Sequence, residues 1–451
     1  MAVEDIQTIE PYKALRRFTP EVTHELRRID ATLERIKSAD IWPASAEALR
    51  FSAQVGTIHY STLIEGNRLG VLEAERAARG ELDARTRAEI ELVNQVDALR
   101  LLDQRMEADG LRFSEDLFTK LHYEVTKGLG TEDGPFYPRH EGDWRDGEAG
   151  VWDPIAQMLM HTGAPQGEVR PRMLGLIDWV NAVEQRLIEW PVPVIAGAVH
   201  YNVAEVHPFA DGNGRASRLL AAALLARHGY APGRLFNFDA HYGLDKDAYL
   251  EALRSVRRET FNLETWMRYF LSGLANEYER VAQEIDRLAV IGRTDRGERV
   301  QLTYKQQKAL TALVISNRVE FKRRDYEEAG GIARTAASLD LGMLSDVGVL
   351  RRVGGGATRR YRFATVPAGN PWAGPAIGRP RAWNDDRIGR ELEALVAGSG
   401  RFPTIKQFDE AGVRPLYNAI QRRGGSAEWA ERLGITPPRA KASADSPADE
   451  R

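Results

Sequence analysis

The chain of 451 residues contains no cysteine. That absence excludes disulfide staples, thiolate nucleophiles and thiolate metal ligands. Long apolar runs are also missing, and no stretch approaches the ~20 residues that a membrane-spanning helix needs. The first residues, MAVEDIQTIEPYKALRRF, have no apolar signal core, so the expectation is a cytoplasmic protein with no membrane partner. Net charge is small as well, at −3, but the two halves differ. Residues 301–451 hold 25 Lys and Arg against 17 Asp and Glu, whereas the first 300 residues hold 37 against 48. A basic half behind an acidic one suggests a second function with a different partner, nucleic acid being one candidate.

Helical periodicity is abundant. Residues 1–130 are rich in Glu, Arg, Leu and Ala at helical spacing; residues 131–172 break the pattern with Gly, Pro and Trp; helices resume at MLGLIDWVNAVEQRL and continue to about residue 290. The fold class predicted is mainly α, with a short hairpin in the interruption, and no repeat of solenoid type is visible.

The most informative stretch is residues 207–218, HPFADGNGRASR. Small residues at Asp211, Gly212, Asn213 and Gly214 let successive backbone N–H groups turn inward and form an anion-binding concavity. The following RASRLLAAALLARHG predicts a helix, so those amides stand at its N-terminus, where the dipole favours negative charge. Arg215 and Arg218, three residues apart, add cationic donors. A polyphosphate fits this place. Asp211 can hold a divalent cation against the phosphates, since magnesium takes carboxylate oxygen, and His207 can serve as a general base beside the phosphorus.

This stretch resembles the Fic (filamentation induced by cAMP) motif His-x-Phe-x-Asp/Glu-Gly-Asn-Gly/Lys-Arg-x-x-Arg, and matches every defined position. The resemblance implies transfer of AMP from ATP, with magnesium, to a Ser, Thr or Tyr hydroxyl of a protein. His207 would be the base, Asp211 the magnesium ligand, and Gly212, Asn213, Gly214, Arg215 and Arg218 the nucleotide site. Removal of AMP, or another nucleotide donor, stays open. A second segment, STLIEGN at residues 61–67, resembles the family's inhibitory motif. It implies that Glu65, near the end of a helix over about 51–66, pairs with Arg218 and blocks the ATP γ-phosphate. GDWRDGEAGVWDP occupies the place of the family's flap, which would present the target segment at about 143–153; Trp144 and Trp152 could equally be core packing. Tyr249 matches a tyrosine that lies near the adenine in relatives, but Val256 replaces the Asn usual seven residues on. Phe209 is expected to anchor the loop in the core.

Within the basic half, residues 301–365 resemble a winged helix-turn-helix, with phosphate contacts available from Lys322, Arg323, Arg324, Arg334 and the wing arginines Arg351, Arg352, Arg359, Arg360 and Arg362. Leu339 stands where many relatives have Arg, so a protein partner is the alternative to DNA. The domain organisation expected is an N-terminal helical region over 1–110, a Fic core over 111–290, and the winged unit over 301–365. A linker at 366–382, a small helical unit over 383–436 built on Trp383, Phe408, Leu416 and Trp429, and a disordered tail at 437–451 complete it. DNA binding through 301–436 with a mainly self-modifying site, and a metal hydrolase using His200, His207 and Asp211, are the competing functions. His200 itself is expected to be structural.

Overall fold

The computed structural model describes residues 19–129, 142–153, 158–185, 190–256, 262–318, 320–365 and 385–396, then 402–404, 407–408, 414–422 and 425–436. The expected linker at 366–382, the tail at 437–451 and Trp383 lie outside the described residues. The chain divides into two compact units at Gly374.

The larger unit opens with α1 (Pro20–Lys37), capped by Thr19, whose hydroxyl accepts from the Val22 N–H. Helix α2 (Pro43–Ile64) starts with proline in its first turn, where the missing N–H would have had no partner. It therefore begins well before residue 51, the start expected from sequence. After α3 (Val71–Arg79) come α4 (Arg87–Asp109) and α5 (Glu115–Thr126). Strands β1 (Gly150–Asp153) and β2 (Met158–Thr162) form an antiparallel hairpin in the predicted interruption. The hairpin begins inside the 143–153 segment, at Gly150, and runs past it to Thr162; ahead of the first strand, Trp144 and Arg145 are taken into packing and hydrogen bonds.

Helices α6 (Gln166–Glu184), α7 (Val192–Val206) and α8 (Asn213–Arg227) follow, then the short α9 (Asp239–Leu244) and α10 (Lys246–Arg254), and the long α11 (Glu264–Leu288). Helix α7 reads VPVIAGAVHYNVAEV and is buried from Pro193 to Val203, as an apolar helix with no polar face must be. It packs along α8, so the turn between them, residues 207–212, is fixed at the end of a rigid pair.

Helix α12 (Tyr304–Ile315), β3 (Glu320–Phe321), α13 (Arg323–Gly330), α14 (Arg334–Asp346), β4 (Leu350–Val353) and β5 (Arg360–Phe363) come next, with the strands antiparallel in the order β3-β5-β4. This has the element order of a winged helix-turn-helix. It is not set apart from the helices before it: Leu302, Leu310, Leu313 and Val314 belong to one apolar cluster with α1, α7 and α11. Ser45 on α2 and Thr311 on α12 share a buried hydrogen bond of 2.8 Å, and Arg287 donates to the Val314 carbonyl. In the smaller unit, α15 (Asp385–Val396), α16 (Arg414–Arg422) and α17 (Gly425–Arg432) bury Ile388, Leu392, Phe408, Leu416, Ile420 and Trp429 together.

A shared core has a measurable consequence. Leu313→Ala should cost about 2–5 kcal/mol and lower one cooperative transition for the whole larger unit. Chemical denaturation followed by tryptophan fluorescence checks this, and a separate early transition for residues 301–365 would contradict it.

Candidate functional site

The turn between α7 and α8 is shaped at three points. His207 caps α7 in the left-handed conformation, φ 52°, its N–H still bonded to the Val203 carbonyl. Non-glycine residues seldom adopt this geometry, and surrounding structure must hold them there. Asn213 does much of that holding. Its carboxamide oxygen accepts from the Phe209 N–H at 2.9 Å, and its amide donates to the Phe209 carbonyl at 2.8 Å. The Asn213 side chain is thus a staple for the loop, and what it offers a ligand is its main-chain N–H. The Phe209 ring is fully buried between the His122 ring at 3.8 Å and the Trp144 indole at 5.0 Å, both nearly parallel to it.

His122 has a defined tautomer. Its Nδ1 accepts from the Gly142 N–H, so Nε2 carries the hydrogen and donates to the Asp211 carbonyl. Arg145 completes the clamp: its N–H donates to the Pro208 carbonyl, its Nε to the His207 carbonyl at 2.8 Å, and its terminal nitrogens to Gly147 and Ala164. Neither His122 nor Arg145 was singled out in the sequence. An isolated His on a helix and an Arg in a glycine-rich stretch carry no spacing signal. Gly163 gives Arg145 room, since a Cβ there would stand 2.9 Å from the guanidinium and 3.0 Å from the His207 Cβ.

Burial, with help from neighbouring His161, lowers the His207 pKa to about 4, so the imidazole is neutral at pH 7. Its Nδ1 lies 3.4 Å from the Ala204 carbonyl, which leaves Nε2 as the basic nitrogen. Asp211, one third exposed, faces Arg87 at 2.9 Å and Arg215 at 3.8 Å. Gly212 starts α8 at φ 74°, where a Cβ would also strike Thr126 at 2.8 Å.

The two motif arginines diverge. Arg215 is buried against α5, donating to the Val125 carbonyl at 2.7 Å. Arg218 is buried against α2: its Nη2 donates to Glu65 Oε1 at 2.9 Å and to the Ser61 carbonyl at 2.8 Å, and its Nε to the Ser61 hydroxyl at 3.2 Å. Glu65 is the C-cap of α2, and Gly66 follows with φ 98°. A carboxylate at a helix C-terminus is disfavoured by the dipole, and the guanidinium offsets that cost. Arg218 Nη1 is buried with no hydrogen-bond partner among the described residues and lies 3.0 Å from where a Gly214 Cβ would be. It is a donor aimed at the start of α8.

Two further residues stand beside Arg218. Tyr249 is buried, its hydroxyl 2.9 Å from His200 Nε2, and burial pushes its pKa up to about 12, with the Arg218 guanidinium near enough to oppose that rise. Asp239, absent from the sequence reading, puts a second carboxylate 3.4 Å from Arg218 Nε. An acid in the first turn of a helix ordinarily reads as dipole chemistry, which concealed it. His200 points into the core toward Tyr249, away from the geometry that a His200, His207 and Asp211 metal triad requires, and no cluster of three metal-ligating side chains occurs among the described residues.

These features define a helical domain that joins a neutral imidazole, an amide-lined helix start and an arginine held by a helix-capping glutamate. Residues 112–225 match the Fic/DOC family. The chain is 29% identical over 222 residues to protein adenylyltransferase Fic of Culex quinquefasciatus, covering 46% of this chain and 38% of that protein. It is 27% identical over 212 residues to that of Aedes aegypti, with the same coverage. The chain thus spans about two fifths of the length of these curated relatives. A Fic family protein from Desulfovibrio desulfuricans G20 shares the fold, with a TM-score of 0.53 and 20% identity over 78% of this chain and 98% of its own.

The buried histidines set the response to acid. His122, His207 and His241 are each lowered to about 4, His200 further and His59 in the same direction, all chiefly by burial. Unfolded, all five titrate near ~6.5. Their contribution is present above that pH and is lost as pH falls toward 4. Asp239, raised to about 6, and Asp103, also raised by burial, work in the opposite direction but are two groups against five. The denaturation midpoint should therefore drop between pH 7 and pH 4.5, and a rising midpoint would contradict the assigned neutral states.

Proposed function

We propose that this chain is a protein adenylyltransferase, moving AMP from ATP to a Ser, Thr or Tyr hydroxyl of a protein, and that Glu65 restrains it. The observation that carries the reading is the single guanidinium of Arg218, bonded to Glu65 yet with a free donor facing the start of α8. ATP phosphates would lie on the first-turn amides of Asn213, Gly214 and Arg215, which have no intrahelical acceptor. Asp211 fits magnesium: it is a partly exposed carboxylate, and magnesium is ordinarily held by one or two carboxylates together with substrate phosphates. Magnesium bound there would neutralise phosphate charge.

The hydroxyl oxygen of the target attacks the α-phosphorus, the bond to pyrophosphate breaks, and the hydroxyl proton passes to His207 Nε2. The left-handed cap, the Asn213 staple and the Arg145 clamp hold that nitrogen in position. Backbone edges of the β1–β2 hairpin would align the target segment. Among the described residues no helix is long and apolar enough to cross a membrane, and a cytoplasmic place of action belongs to this proposal.

Label transfer from ATP to lysate proteins and to the chain itself tests it, with magnesium and with EDTA. His207→Ala should lower transfer by about 10²–10⁴-fold while ATP still binds. Glu65→Gly should raise transfer about tenfold or more, the worth of roughly 1.4 kcal/mol of competing ion pair. Arg218→Ala, which loses the phosphate donor with the restraint, should not. An unchanged rate for Glu65→Gly would refute the restraint, and competition by GTP, CTP and UTP reports the donor, which Val256 leaves open. Loss of AMP from a pre-labelled target would instead identify the reverse activity.

For residues 301–365, one observation favours a protein over DNA. Helix α14 exposes Leu339 and Met343, followed by Val347, a stripe at helical spacing. Most of the arginines that would reach phosphate face carboxylates: Arg323 with Glu327, Arg324 with Glu328, Arg351 with Asp295, Arg352 with Asp346, and Arg360 and Arg362 with Glu320. If DNA binds, affinity should fall steeply with salt, and neutralising Arg359 and Arg360 should shallow the slope. No duplex binding at low salt is the outcome expected here.

A further inference from the structure

A cavity of about 200 Å³ opens between α2, α4 and α8, closed on its far sides by the segment 231–239 and α11. None of residues 207–214 lines it, so it is not the anion site described above. Its mouth carries Arg50, which donates to the Gly233 carbonyl, and the Arg234–Asp103 ion pair. The walls are apolar, with Leu99, Leu102, Leu219, Phe236 and Leu274 among them. At the buried end lie Arg218 and Asp239. An apolar protein cavity of ~150 Å³ admits benzene, so this one has room for a second fused ring.

Asp239 supplies the polar feature a ligand would read. An ionised carboxylate offers about four acceptor sites. Among the described residues, the polar partner of Asp239 is Arg218 Nε, at the long distance of 3.4 Å. Burial raises this carboxyl to about 6 despite the adjacent guanidinium, as expected of an acid short of donors. A cationic ligand would meet Arg218 and an anionic one Asp239, so the complement is an uncharged ring system with an N–H.

We propose that this cavity is a binding site for an uncharged aromatic heterobicycle whose ring N–H donates to the Asp239 carboxylate. Arg218 is shared between Asp239 and Glu65. A ligand that engages Asp239 leaves the guanidinium more fully to Glu65, so occupancy and the Glu65–Arg218 pair reinforce one another. Binding at the site does not depend on AMP transfer; only its meaning as a brake rests on the function proposed above.

Calorimetric titration of the full chain at pH 7.5 tests this, with indole and its donor-free isostere benzofuran as probes. Indole should bind saturably at one site per chain, about tenfold more tightly than benzofuran, the difference expected of one charge-assisted hydrogen bond. Ala222→Phe, whose ring would occupy the cavity from the half-buried outer side of α8, should abolish binding of both probes at unchanged circular dichroism. Asp239→Asn should bring indole down to the benzofuran level. Glu65→Gly should weaken indole several-fold, because Arg218 then draws on Asp239 alone. Equal affinity for the two probes, no saturable binding, or undiminished binding in Ala222→Phe overturns the site. Equal indole affinity in wild type and Glu65→Gly overturns its coupling to the restraint, whatever the outcome of the transfer assays.

Discussion

A guanidinium with almost no access to water governs the arrangement of this domain. Arg218 must find carboxylates and carbonyls inside the protein, because an unpaired buried cation would cost several kcal/mol. It finds them on two elements: Ser61 and Glu65 at the end of α2, and Asp239 at the start of α9. The C-terminal turn of α2 is therefore held by electrostatics as much as by apolar packing. Of these partners, Glu65 is the most exposed, at 35% of its side chain against 9% for Asp239. Among the described residues it is the partner of Arg218 that water reaches most easily.

The turn between α7 and α8 is fixed for a different reason. Three residues of ordinary type, Asn213, His122 and Arg145, each satisfy loop main-chain groups, and Phe209 fixes its depth. Burial keeps His207 unprotonated and the clamp keeps its backbone in a conformation it would not hold alone. Conformation and protonation state at this position come from the same burial.

The motif residues were legible because glycines, an Asn and two arginines at fixed spacing encode a backbone shape and a charge. The Glu65–Arg218 contact was legible only through the resemblance of residues 61–67 to the family's inhibitory motif, because a carboxylate at a helix end reads by itself as a solvated one. Roles that depend on the partner's direction were not. Asn213 reads equally as a phosphate ligand and as a staple, and Tyr249 as a base platform and as a core hydroxyl. Asp239 and Arg145 carry no spacing pattern at all. The hairpin was placed several residues early because tryptophans and glycines mark irregular backbone without marking where pairing begins. The continuity of residues 301–365 with the helical core was also hidden, since the apolar face of α12 shows that something covers it but not that α2 does.

Gly214 has significance beyond flexibility. Its backbone is ordinary helix, yet a Cβ at this position would lie 2.2 Å from Glu65 Oε1. The carboxylate occupies space that only a missing side chain provides, so positions 65 and 214, far apart in the chain, form one lock and its keyhole. The motif tolerates lysine at this place, and a chain with lysine there could not house a glutamate in the same pose. Change at either position is therefore constrained by the other, and the Glu65–Arg218 contact can be lost by adding atoms at the start of α8 while leaving α2 untouched.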